Sequence, residues 1–81
     1  MEIKVLFFAQ LREAFGTGER FSRVARGITV GEFVKSLFKE PGAAPMRRLP
    51  LLYSVNEDFV HEDCELKDQD TLALLPPVAG G

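Results

Sequence analysis

Ile28-Thr29-Val30-Gly31-Glu32-Phe33-Val34-Lys35-Ser36-Leu37-Phe38-Lys39-Glu40-Pro41 is the stretch from which the fold can be read. Thr29 followed three residues on by Glu32 is a capping box, in which the hydroxyl and the carboxylate each satisfy a backbone N–H that a helix start leaves unpaired. Ile28 and Phe33 stand across it at the spacing of a hydrophobic staple. Val30, Phe33, Val34, Leu37 and Phe38 then recur at helical spacing as one apolar stripe, and Glu40-Pro41-Gly42 ends it. The pattern predicts an amphipathic helix of about three turns, made to lie on a sheet. Its aromatic residues at this spacing read as core packing and not as a cofactor box.

Working outward, the strands for that sheet are on both sides. Glu2 to Ala9 alternates Ile3, Val5 and Phe7 on one face with Lys4, Leu6 and Phe8 on the other. Gln10 to Phe15 reads as a short helix that Gly16 stops in a left-handed conformation. Glu19 to Ala25 alternates imperfectly around Phe21 and Val24, which predicts a short second strand with an irregularity or a bulge. After the main helix, Gly42 to Pro50 is a proline-rich connection with room for one irregular turn. Leu51 to Val55 is a third strand, Asn56-Glu57-Asp58 a turn, and Phe59 to His61 a short return strand. Asp68-Gln69-Asp70 is another turn, and Thr71 to Leu75 is the last strand.

The order strand, helix, strand, main helix and three further strands puts one main helix on one face of a mixed sheet of about five strands. This is an α+β chain of β-grasp pattern, with residues 1–75 forming the domain and residues 76–81 an extended tail. The first and last strands are the most apolar and are expected to pair at the sheet centre. If Ile3, Val5, Phe7, Leu72 and Leu74 face the helix, then Leu6, Phe8, Ala73 and Leu75 lie on the uncovered face, and such a patch needs a partner.

Size and composition narrow the function. Eighty-one residues hold one core and leave no room for a separate substrate domain. With 46% hydrophobic and 27% charged residues the chain reads as globular and not disordered. Ten Lys and Arg against twelve Asp and Glu lack the basic excess of a nucleic-acid binder. The charge is uneven: residues 1–50 hold nine basic and five acidic groups, residues 51–81 one and seven, so the acidic end would be steered towards a basic surface. One Cys64 and one His61 leave no disulfide framework and no zinc constellation. The N-terminal apolar run is too short and wrongly flanked for a signal peptide, and too short to cross a bilayer. A cytoplasmic protein with no membrane association is the expectation.

No Ser-His-Asp set, phosphate-binding glycine loop or cluster of metal ligands points to catalysis by side chains. The chemistry gathers instead at Pro76-Pro77-Val78-Ala79-Gly80-Gly81, an uncharged stretch directly after the last core strand. The two prolines favour an extended backbone, and six extended residues reach about 20 Å. Gly80 and Gly81 lack a Cβ, so the main chain can enter a narrow channel and bring its terminal carboxylate to a reaction centre in another protein. That carboxylate is ionised at neutral pH and is a poor electrophile until activated, most simply as an acyl-adenylate made with ATP. Sulfur could then displace AMP and leave a thiocarboxylate on Gly81.

Ile3-Lys4-Val5-Leu6-Phe7-Phe8-Ala9-Gln10-Leu11-Arg12-Glu13, the Val55-Asn56 pair, and Asp68-Gln69-Asp70-Thr71-Leu72-Ala73-Leu74-Leu75 with the tail that follows closely resemble the small, sulfur-carrying subunits of molybdopterin synthases. The resemblance is specific at both ends and rests only on the pattern of elements between Gly16 and Pro50. It implies a ubiquitin-like fold and adenylation of Gly81 by a dedicated ATP-dependent activating enzyme. Conversion to a thiocarboxylate with sulfur from a donor protein would follow. It further implies that the tail enters the large synthase subunit, where sulfur passes to cyclic pyranopterin monophosphate to build the molybdopterin dithiolene, in a heterotetramer. No cofactor is implied on the chain itself. An apolar partner surface beside the tail is implied at Phe8, Phe59 and Leu75.

Two related readings share the Gly-Gly end: a thiazole-pathway sulfur carrier and a ubiquitin-like modifier whose activated Gly81 is joined to lysines. The Phe7-to-Glu13 segment and the Pro-Pro-Val tail favour the molybdopterin reading. A plain interaction module would not need Gly81. Cys64 lies between Asp63 and Glu65, whose charges disfavour a thiolate, and reads as a bystander. His61 reads as structural, and Arg12, Arg47 and Arg48 as solvated.

Overall fold

The computed structural model describes residues 1–76, the side chain of Met46 aside. In chain order the elements are β1 (Glu2–Phe7), α1 (Gln10–Phe15), β2 (Glu19–Arg23), α2 (Val30–Leu37), a 3₁₀ turn (Ala44–Arg48), β3 (Leu52–Val55), β4 (Asp58–Val60) and β5 (Thr71–Leu75). The strands form one sheet in the order β2-β1-β5-β3-β4. The central pair β1–β5 is parallel and the other three pairings are antiparallel, which is the β-grasp arrangement.

The capping box at the start of α2 is complete. Glu32 N donates to Thr29 Oγ1 at 3.2 Å, and Thr29 N donates to Glu32 Oε1 at 3.0 Å. That backbone N–H, more than the Thr29 hydroxyl, holds the Glu32 carboxyl below the ordinary carboxylate range. The next two N–H groups, of Val30 and Gly31, donate to the carbonyls of Cys64 and Glu62, both at 2.8 Å. A Cβ on Gly31 would lie 3.1 Å from both the carbonyl oxygen and the Cβ of Glu62, so this close approach explains the glycine.

Val30, Phe33, Val34, Leu37 and Phe38 are all buried, as the stripe requires. They meet Ile3, Val5, Phe7, Leu72 and Leu74 from the two central strands, together with Leu11 and Leu66. At about 1.5–3 kcal/mol for each large apolar side chain fully removed from water, this one layer accounts for most of the drive to fold. Phe15 stacks on Phe7 with ring centroids 4.3 Å apart, and Arg20 covers both rings while pairing in two-pronged fashion with Glu40 at 2.7 and 3.2 Å.

Several boundaries differ from the sequence reading. α2 has eight residues, closer to two turns than three. Beyond Leu37 the N–H groups of Lys39 and Glu40 reach back only three residues, to Ser36 and Leu37, and Pro41 has no N–H to continue with. β2 carries no bulge: its register with β1 runs unbroken from Glu2↔Arg23 to Leu6↔Glu19. The imperfect alternation arises because Phe21 points away from the core, 60% exposed. β1 stops at Phe7, because Ala9 takes φ 52° and turns the chain into α1. β3 and β4 run Leu52–Val55 and Asp58–Val60, joined by the two-residue turn Asn56-Glu57 with φ of 52° and 73°, both left-handed as a twisted hairpin demands. Gly16 ends α1 at φ 73°, as read from the sequence.

Asp70 is the one buried acid among the described residues, and it is fully partnered. It accepts from Asn56 Nδ2 at 2.9 Å and from Lys67 N at 2.8 Å, while Asn56 Oδ1 accepts from Thr71 N at 3.0 Å. This clamp ties the β3–β4 turn to the start of β5 and so sets where β5 runs out at its other end.

Candidate functional site

Strand alternation and register define what the uncovered face of the sheet presents. Leu6 pairs with Ala73, Ala73 with Ser54 and Ser54 with Phe59, making one row across four strands. Two residues nearer the end of β5, Leu75 pairs with Leu52, and Phe8 and Leu75 each follow directly on the last parallel pair, Phe7↔Leu74. Farther back on the same face, Lys4 pairs with Phe21 and with Thr71, and the Lys4 ammonium lies 5.7 Å from the Phe21 ring centroid.

Phe8, Phe21, Leu52 and Phe59 are the large hydrophobic residues left exposed among the described residues, at 42, 60, 58 and 72%. All four belong to this face. Leu75 and Leu6 are half-buried between them. Ala73 alone departs from expectation, being buried, since its methyl group is small and Leu6 and Ser54 flank it in the sheet centre. No helix covers this side, so the apolar surface is concentrated where β5 ends, around Phe8, Leu52 and Leu75.

The tail leaves from that spot. Pro76 follows Leu75 directly and is buried. Pro77, Val78, Ala79, Gly80 and Gly81 lie outside the described residues. The structure thus brings Phe8 and Leu75 together at the root of the tail and places Phe59 on the same face, in the neighbouring row and two strands from β5. Leu52 was missed by sequence reasoning. Its signal was present in the alternation of Leu52-Tyr53-Ser54-Val55, which turns Tyr53 and Val55 to the core and Leu52 out, but the face of an edge-side strand is settled only once its register with β5 is known. Phe21 was missed for the same reason.

Cys64 is half-buried, with Sγ 3.7 Å from the Glu65 carbonyl, and His61 is exposed just past β4. Neither stands at the root of the tail. Arg12, Arg47 and Arg48 are exposed on α1 and on the 3₁₀ turn. Among the described residues no group of three or more His, Cys, Asp or Glu side chains is placed to hold a metal ion. No helix there is long and apolar enough to cross a membrane.

A mixed β-grasp sheet, an uncovered apolar face and a last strand that runs out beside that face into Pro-Pro-Val-Ala-Gly-Gly are the features a sulfur carrier needs. The ThiS family matches residues 5–81. The chain belongs to this family. Among curated relatives of this ThiS-family chain, the molybdopterin synthase sulfur carrier subunit of Escherichia coli is 38% identical, covering 98% of the chain and 99% of the relative. The protein of the same name from Chlamydomonas reinhardtii is 31% identical over the whole of both chains. Among solved structures, the small archaeal modifier SAMP1 of Haloferax volcanii superposes with a TM-score of 0.84 at 25% identity, covering both chains in full. The family resemblance read from the two ends of the sequence and the ubiquitin-like β-grasp fold are therefore both established.

Proposed function

We propose that this chain is the sulfur carrier subunit of a molybdopterin synthase, and that Gly81 is the residue that carries the sulfur. The observation that supports this most is the convergence at one spot of the sheet: β5 leads into the tail where Phe8, Leu52 and Leu75 present apolar surface that no helix among the described residues covers. Relatives that share the full length of the chain bear the name of that subunit.

In this reading the Gly81 carboxylate attacks the α-phosphorus of ATP in an activating enzyme, pyrophosphate leaves, and an acyl-adenylate results. A persulfide of a donor protein displaces AMP at the carbonyl carbon to give an acyl disulfide, and a thiol of the donor then cleaves its S–S bond, forming a disulfide on the donor and releasing the thiocarboxylate. The apolar surface docks on the large synthase subunit, and the tail threads through Pro76, Pro77, Val78, Ala79 and Gly80 into its active site. There the terminal sulfur bonds to cyclic pyranopterin monophosphate, water cleaves the Gly81 C–S bond and restores the carboxylate, and two such deliveries complete one dithiolene. The chain's own residues supply docking, reach and one reactive carbon, while the catalytic side chains belong to the partner, in a heterotetramer with two carriers. The low entropy of the two prolines lessens the cost of ordering the tail on entry.

The test is the intact mass of the chain after incubation with ATP, a sulfur donor and the activating enzyme. A gain matching replacement of one oxygen by sulfur, located on the terminal peptide and absent when Gly81 is removed, supports the proposal; an unchanged mass under conditions that activate an established carrier rejects it. A second reading, a protein modifier, is favoured by the likeness to the archaeal modifier. It predicts isopeptide-linked ladders that depend on Gly81 in cell extract.

A further inference from the structure

The helix-covered side of the molecule carries a concavity. A shallow groove of about 1130 Å³ runs between α2 and the 3₁₀ turn, with Val34, Phe38, Leu51 and Tyr53 among the side chains of its wall. Glu40 O accepts from both Ala43 N and Ala44 N at 3.0 Å, which fixes the start of the 3₁₀ turn against the C-terminal end of α2. Lys35 and Lys39, four residues apart and so on one side of the helix region, line the groove together with Arg47 and Arg48 of the turn. All four are exposed, and the ion pairs among the described residues, Lys4–Glu19 and Arg20–Glu40, involve none of them.

The other end of the groove is acidic. Glu32 stands in the first turn of α2, and Glu62 is held there by the bond from Gly31 N to its carbonyl, with Asp63 beside it. Burial, with a smaller contribution from the Glu62 charge, raises the Tyr53 hydroxyl above its ordinary range, so it remains a neutral hydrogen-bond donor. The groove thus offers apolar wall, one phenol, three carboxylates near the start of α2, and four cations that make no ion pair among the described residues, Lys39, Arg47 and Arg48 lying beyond the end of α2.

We propose that this groove docks a short acidic segment of a partner protein, in which carboxylates alternate with apolar side chains and sit on Lys35, Lys39, Arg47 and Arg48. The apolar wall asks for apolar side chains between the carboxylates. The Glu32, Glu62 and Asp63 end repels a long polyanion, which sets nucleic acid aside. Charge complementarity is what selects the occupant. The groove lies on the helix-covered side of the sheet and Phe8, Leu52 and Leu75 on the bare one, so the segment can bind while the bare face is engaged, and the inference does not depend on what Gly81 carries.

The test follows amide NMR spectra of the whole chain during titration with a short synthetic peptide alternating glutamate and leucine, against a lysine–leucine peptide of equal length and against inorganic phosphate. The expected result is a selective set of shifts at Lys35–Lys39 and Arg47–Leu51 for the glutamate peptide alone, weakened by added salt. A chain carrying Arg47→Glu and Arg48→Glu should bind at least about tenfold more weakly. Both positions are exposed, and a Lys35→Glu, Lys39→Glu chain serves as a second, independent charge reversal. Shifts centred on Phe8 and Phe59, equal affinity for the lysine peptide, binding by both charge-reversed chains as tight as by the unaltered chain, or equal shifts with phosphate would each overturn the proposal.

Discussion

The two faces of the sheet are built from the same strands and meet opposite fates. On one, Ile3, Val5, Phe7, Leu72 and Leu74 are at most 1% exposed beneath α2; on the other, Phe8, Phe21, Leu52 and Phe59 remain in water. Alternate residues of β1 illustrate it directly, with Val5 in the core and Lys4 and Leu6 outside. With α2 as the main helix, the chain covers one face of the sheet and leaves the other bare. The second face is therefore free to be apolar for a partner without disturbing the core, and the tail emerges at its most apolar end. Folding is carried by one face, and the docking proposed above falls to the other.

The largest effect should come from the tail. Removing Gly81 should abolish sulfur transfer and leave urea unfolding unchanged, which would separate the tail's chemistry from the fold. On the covered face, Val5→Asp should prevent folding altogether, since an unpaired carboxylate in this core costs about 4 kcal/mol or more against the marginal stability of a small domain; circular dichroism reads it. On the bare face, Phe59→Ser should alter stability by about 0.5 kcal/mol or less and weaken binding to the large subunit by about tenfold. If Phe59→Ser unfolded the chain, the division between faces would fail.

Smaller effects lie in α2. Thr29→Ala removes the capping hydroxyl and should cost about 1 kcal/mol in urea unfolding, with partner binding unaffected. The Glu32 carboxyl of the same box titrates below its unfolded value, so what it contributes is present above the unfolded pKa and is lost as pH falls through the folded one. Stability should thus decline on the acid side of the ordinary glutamate range, and Glu32→Gln should lessen that decline.

What could be read in advance was whatever depends on near neighbours. The Thr29/Glu32 box, the stripe from Val30 to Phe38, the left-handed stop at Gly16 and the inward set of β1 and β5 are all decided within a few residues, and all are present. The misses involve partners far along the chain. Whether β2 bulges depends on its pairing with β1, the outward turn of Leu52 depends on Leu75, and the Asn56–Asp70 clamp joins residues fourteen apart. On the bare face, the positions of Phe8 and Leu75 were legible from alternation and that of Phe59 was expected from family resemblance, whereas Leu52 and Phe21 needed the register.

The division of labour between the faces is tested most directly by titrating Phe8→Asp against the large synthase subunit in a calorimeter, with the thermal midpoint of the same sample recorded alongside. Phe8 is 42% exposed and follows the last residue of β1, so the account predicts binding at least about tenfold weaker with the midpoint essentially unmoved. Unchanged binding, or binding and stability lost together, would contradict it and return Phe8 to the core.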